Sequence, residues 1–267
     1  MKPTLLFIHG FRGNQLGLRE VADNFPKKSY DVYLLDLPPT NGTTLKEYSP
    51  RLYARFVANF IKEHELEKPI LIGHSMGSIV TAAVAERYPE LISDKIVFLS
   101  PISVRPNKLF SLASPFSATL PNKVVSRVST KYLFVPKNDK ELLKKTLATT
   151  NACGRAYHNK RAYASARFAA NYSINDFTFE KQALFLSGDK ERLVPREKTE
   201  KVAEKFNGKT VYIKNTGHLL NYEDPKNVAK EIKKFIKPTT KSLAKSTTKS
   251  TTTKKASAKK PATNSKN

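Results

Sequence analysis

Within the first 101 residues, short apolar runs alternate with longer segments of helical periodicity, and this alternation limits the fold more than any single residue does. The runs Thr4–His9, Asp31–Asp36, Pro69–Gly73 and Lys95–Ser100 are rich in Val, Ile, Leu and Phe, the pattern of strands covered on both faces. Between the first two, Leu18, Val21, Ala22 and Phe25 recur at i, i+3, i+4 and i+7 of one helix. Ser49 and Pro50 suit the N-cap and first turn of a second, in which Leu52, Phe56 and Phe60 fall on one face. A third is predicted from Met76 to about Tyr88, just ahead of Pro89. Strands joined through helices pair in parallel by right-handed crossovers. The expected architecture is therefore α/β, a doubly wound and mostly parallel sheet.

The alternation stops between Ile102 and Thr178. That stretch begins rich in Pro, Ser and Asn and then carries helical patterns around Lys140–Thr149 and Gly154–Ala170, without strand signals. It is expected to be a helical insertion over the sheet. Strand and helix signals then resume at Gln182–Leu186, Arg196–Phe206 and Thr210–Lys214, with Gly208 stopping the helix. A last helix has Asp224 as N-cap and Pro225 in its first turn, with Val228, Ile232, Phe235 and Ile236 on one face. Residues 1–101 and 179–237 thus read as the core and 102–178 as the insertion. Residues 238–267 are almost all Lys, Thr, Ser, Ala and Pro. They cannot bury enough apolar surface to offset their ordering entropy, so a disordered tail is expected.

Composition narrows the setting. The chain has 267 residues, 39% of them apolar, enough for one well-filled domain. No apolar run reaches the length of a membrane helix, and the opening run Leu5-Leu6-Phe7-Ile8-His9 is too short for a signal-peptide core. Cys153 is the single cysteine, so no internal disulfide can form, which suits a reducing cytoplasm. Cys153 itself reads as a small core residue. Of the formal charge of +24, the nine lysines of 237–267 supply +9 and the rest of the chain +15. Between Ser103 and Glu180 there are thirteen Lys or Arg against four Asp or Glu. Such surfaces attract anions, so the substrate is expected to lean anionic and the tail to contact nucleic acid, anionic membrane or acidic protein without specificity.

Gly73-His74-Ser75-Met76-Gly77 carries the chemistry. A serine flanked by glycines two residues either side, with a strand running in and a helix running out, is a nucleophile elbow. Its hydroxyl stays a weak nucleophile until a base removes the proton. His218, in Thr216-Gly217-His218 after the last strand, stands where that base belongs; His64, His74 and His158 are less apt. A carboxylate must orient the histidine, and on such a sheet it lies between serine and histidine in the chain. Asp189 directly follows the strand Gln182–Leu186 and is the expected acid, with Glu191 as its competitor two residues on. Developing oxyanion charge needs N–H donors. Those of Met76, after the nucleophile, and of Phe11, in His9-Gly10-Phe11-Arg12-Gly13, are the candidates.

With these motifs in this order, residues 3 to 237 resemble the α/β-hydrolase superfamily, most closely its capped, single-domain esterase and C–C hydrolase branch. The resemblance implies a helical cap matching 102–178, a Ser75–Asp189–His218 triad, and neither cofactor nor metal. Members usually begin with two further strands, so a smaller sheet of about six is implied. Relatives that hydrolyse haloalkanes or epoxides use an aspartate nucleophile, which Ser75 argues against. Prolyl aminopeptidases carry a tryptophan in the elbow, and this chain has none. The expected function is cleavage of a small ester or thioester through an acyl-enzyme. The alternatives are C–C bond hydrolysis, or a binding or signalling protein that keeps the fold without catalysis.

Overall fold

The computed structural model describes residues 2–42, 45–105, 120–135, 139–156 and 159–237. The apolar runs become six strands: β1 (Thr4–Ile8), β2 (Asp31–Leu35), β3 (Ile70–His74), β4 (Lys95–Leu99), β5 (Gln182–Gly188) and β6 (Lys209–Ile213). They form one sheet in the order β2-β1-β3-β4-β5-β6, and every neighbouring pair is parallel. Burial follows position in that order. All five residues of β3 are buried, whereas the outer strands β2 and β6 stay partly exposed.

Helices α1 (Leu16–Ala22), α2 (Pro50–Glu63) and α3 (Met76–Arg87) connect the first four strands. Ser49 caps α2, its side chain accepting the Leu52 N–H at 3.4 Å. In α3 every residue from Met76 to Ala85 is buried, as expected of a helix that is apolar on all sides. Between β4 and β5 lie α4 (Asn122–Leu133), α5 (Lys140–Cys153) and α6 (Asn159–Asn171), with no strand among the described residues. α4 lies outside the sequence expectations, because apolar Val124, Val128 and Tyr132 face outward and blur its periodicity. Then come α7 (Arg196–Lys205), the short α8 (Leu220–Glu223) and α9 (Pro225–Ile236), whose start is held by Asp224 Oδ1 accepting the Asn227 N–H at 3.1 Å. One compact unit extends to Phe235. His158 and residues 238–267 lie outside the described residues. No helix among those described is long and apolar enough to cross a membrane.

The strand order places the site. From β1 the chain moves outward to β2, then crosses back to β3 on the other side of β1. Where the direction of winding reverses, the loops leaving β1 and β3 part and open a crevice at the C-terminal sheet edge. At that point α3 begins against β1. A Cβ added at Gly77 would collide with the carbonyls of Ile8 and His9, and one at Gly73 would meet Thr81 Oγ1 at 2.5 Å. Backbone cannot step aside as a flexible side chain can. Gly77→Ala is therefore expected to destabilise the fold by about 3 kcal/mol, the upper range for overpacking. A denaturant titration with an unchanged midpoint would contradict this.

Candidate functional site

Ser75 stands between β3 and α3 with φ 52° and ψ −119°, outside the regions a residue with a Cβ favours. The turn is pinned on both sides. Its N–H donates to Leu99 O of β4 at 2.9 Å, and its carbonyl accepts from Ser78 N–H at 2.9 Å and Ser78 Oγ at 2.5 Å. Strain of this kind persists only where the surroundings over-determine it. It aims the Ser75 hydroxyl at the loop that follows β6.

That loop carries His218, whose side chain is only 3% exposed. His218 Nε2 lies 2.9 Å from Ser75 Oγ, and Nδ1 lies 2.8 Å from Glu191 Oε2. A carboxylate on Nδ1 fixes the proton there in the neutral ring and leaves Nε2 as acceptor for the serine hydroxyl. Glu191 is itself held by the Leu193 N–H, which donates to Oε1 at 2.7 Å. Burial pushes its carboxyl up. His218 and the N–H groups of Leu193 and Arg192 outweigh that and hold it below the usual carboxylate range.

The structure therefore corrects the expected acid. Asp189 is exposed, and Glu191 rather than Asp189 bonds the imidazole. β5 runs two residues past the expected Gln182–Leu186, to Gly188, and its ladder continues as the Asp189 N–H donates to Ile213 O at 3.0 Å. Asp189 thus sits at the last rung of the sheet. The chain then turns tightly, with Glu191 N–H on Gly188 O at 3.3 Å and Lys190 N–H on Thr216 O at 2.9 Å. This delivers the third residue of Asp-Lys-Glu, not the first, to His218.

Three groups not given a role by the sequence hold the His218 loop. Glu223 accepts the Gly217 N–H with both carboxylate oxygens, at 3.1 and 3.0 Å, and the Val135 N–H at 3.2 Å. Burial pushes its carboxyl up to about 7 in spite of those donors. Leu133 O, at the end of α4, accepts the His218 N–H at 3.1 Å. His74 Nε2 lies 3.2 Å from His218 O, and burial, then the neighbouring His218, pushes the His74 ring down to about 3. A neutral ring in that place donates its N–H to the carbonyl.

On the other side of Ser75 stands the loop after β1. His9 Nε2 accepts the Leu37 N–H at 2.9 Å, so Nδ1 donates to Gly10 O at 2.8 Å. Gly10 then runs so close that a Cβ added there would sit 2.9 Å from Ser75 Cβ. Phe11 is the next residue and is partly buried against the core. Met76 opens α3, where backbone N–H groups have no acceptor within the helix. Cys153 is apart from this chemistry. It is buried with Sγ 2.9 Å from Asn14 Oδ1, and burial pushes the thiol up, keeping it protonated. Among the described residues no cluster of three or more His, Cys, Asp or Glu could hold a metal. The His74 ring nitrogens are expected to show no titration in NMR spectra from about pH 5 upward, since the ring stays neutral there. A midpoint near the ordinary histidine value would refute its bracing role.

The chain is 25% identical over 245 residues to an uncharacterised hydrolase of Bacillus subtilis, YugF, covering 86% of this chain and 89% of that one. It is 29% identical over 245 residues to a Haemophilus influenzae protein provisionally named esterase/lipase, covering 86% and 82%. A thermophilic esterase from Thermogutta terrifontis superposes with a TM-score of 0.75 at 18% identity, over 88% of this chain and 90% of that one. The sequence profile described as alpha/beta hydrolase fold matches residues 3–225, and the chain belongs to that family.

Proposed function

We propose that the protein is a serine hydrolase that cleaves carboxylic esters or thioesters through an acyl-enzyme. The observation that carries this reading is the continuous hydrogen-bonded series from Ser75 Oγ through His218 to Glu191. Ser75 Oγ attacks the substrate carbonyl while Nε2 of His218 takes its proton. Glu191 holds the ring in the required tautomer and offsets the charge it gains. The N–H groups of Phe11 and Met76 receive the oxyanion, in the manner of a preorganised hole. His218 then protonates the departing alcohol or thiol. Water, deprotonated by the same ring, attacks the acyl-serine and releases the acid, returning the proton to Ser75.

Residues 102–178 act in this reading as a cap over the site. Supporting contacts are Leu133 O with the His218 N–H, the Arg12 guanidinium with Asn122 Oδ1, and Ser165 Oγ with Met76 Sδ at 3.8 Å. The surplus of basic residues in this stretch favours substrates with an anionic group. The names borne by the Haemophilus and Thermogutta proteins agree with ester chemistry.

Ser75→Ala is expected to abolish turnover of a p-nitrophenyl ester and labelling by a fluorophosphonate, with the fold retained. Unchanged turnover in that variant would overturn the proposal. Glu191→Gln should lower kcat by about three to four orders of magnitude, as loss of the orienting carboxylate does elsewhere. Asp189→Asn should stay within about twofold of the parent, as befits a surface change. The opposite ranking of these two variants would reinstate Asp189.

A further inference from the structure

Helix α4 is built the wrong way round for a surface helix. Its inward side buries Val125 but is otherwise largely polar and satisfied. Asn122 Nδ2 donates to Asn151 O at 2.8 Å, Thr130 Oγ1 lies 3.0 Å from Thr150 Oγ1, and Ser126 Oγ reaches Thr150 O at 3.4 Å. Its outward side carries Val124, Val128 and Tyr132, which are 46%, 65% and 52% exposed. These residues are spaced four apart and form one row along the axis. A second row with the same spacing, Lys123, Arg127 and Lys131, runs beside it and is also exposed. The helix contains no acidic residue. Among the described residues none of the three cations has an ion-pair partner.

From this pairing of rows we infer that the outer face of α4 docks on the surface of an anionic lipid bilayer. An apolar row flanked by a cationic one is the pattern of a helix lying in the interface plane. The valines enter the acyl boundary there and the basic groups meet lipid phosphates. Tyr132, apolar in its ring and polar at its tip, suits the same boundary. Nucleic acid would use the cations and leave the valines in water. A protein partner would be expected to bury large aromatic or arginine anchors in a concave, desolvated site, whereas Tyr132 and Arg127 stand exposed on a convex helix face. The carbonyl of Leu133, the last residue of α4, bonds His218 N–H, so docking brings the lipid surface to the edge of the site just described. The inference itself does not depend on hydrolysis, and a Ser75→Ala protein keeps the docking.

The chain has no tryptophan, so Val128→Trp supplies a single reporter on this face of the full-length protein. Its emission is expected to shift to the blue with vesicles of equal parts phosphatidylcholine and phosphatidylglycerol, and not with phosphatidylcholine alone. Adding Lys123→Gln, Arg127→Gln and Lys131→Gln should weaken that association about a hundredfold, or about fivefold per charge. Sedimentation with the anionic vesicles while the emission of the Val128→Trp protein stays unchanged would mean that the lysine-rich tail alone binds them, and would overturn the inference. So would unchanged affinity in the triple-charge variant, or a blue shift with an acidic acyl carrier protein but not with vesicles.

Discussion

The first turn of α3 lies against the end of β1 with no side chain between them, and the positions of the other groups follow from that contact. Gly77 meets the carbonyls of Ile8 and His9, while Gly10 runs beside Ser75. These approaches fix where β3 must end and how sharply the chain must turn, so Ser75 has little choice of conformation. Its backbone is further tied to β4 through Leu99 O and to its own helix through Ser78. Each tie alone is modest, a net one or so kcal/mol for an ordinary hydrogen bond. Together they are comparable with the roughly 1–3 kcal/mol that a residue in a sparsely populated conformation costs. The strained hydroxyl is thus held at the reversal point of the sheet, where the loops after β1 and β3 separate.

Around His218 the protein separates groups that stay neutral from groups that stay charged. His74 is buried with no carboxylate bonded to it and is kept neutral, which lets it brace the His218 carbonyl. Glu191 is as deeply placed, yet its contacts with His218 and backbone N–H groups outweigh desolvation and keep it ionised. Glu223 occupies an intermediate position. Burial raises it, while Gly217 and Val135 N–H groups oppose the rise. A buried carboxylate without such partners would be costly, so these bonds explain how one acid meets the imidazole and a second is buried against the loop that carries it. Glu223 and Leu133 together join the His218 loop to the helices between β4 and β5. Any movement of α4 would therefore be felt at the imidazole.

Most of the architecture was legible from the chain. Periodicity located the six strands to within one or two residues, because buried parallel strands demand continuous apolar runs, and the winding followed from their alternation with helices. The short α8 was not foreseen, and α4 was the longest element missed. Sequence patterns assume that apolar residues face inward, whereas here Val125 alone of the three valines is buried, the rest of the inward face is polar and hydrogen-bonded to α5, and Val124 and Val128 point outward. The glycine spacing around Ser75 and the place of His218 after β6 were equally readable, since both are local requirements of a tight turn and a loop.

The acid was a different matter. Asp189 and Glu191 are separated by one residue, and both lie between the serine and the histidine in the chain. Only the length of β5, the register that extends its ladder to Ile213, and the turn at 188–191 decide which carboxylate reaches Nδ1. The same holds for His74 and Glu223, whose roles depend on partners far along the chain. By itself the sequence determined the order of the strands, the tight turn at Ser75 and the place of His218 after β6, because local backbone geometry and apolar periodicity are written in neighbouring residues. Tertiary structure alone decided which charged side chain meets which partner. That choice depends on strand register and on distances of an ångström or two, which no local pattern encodes.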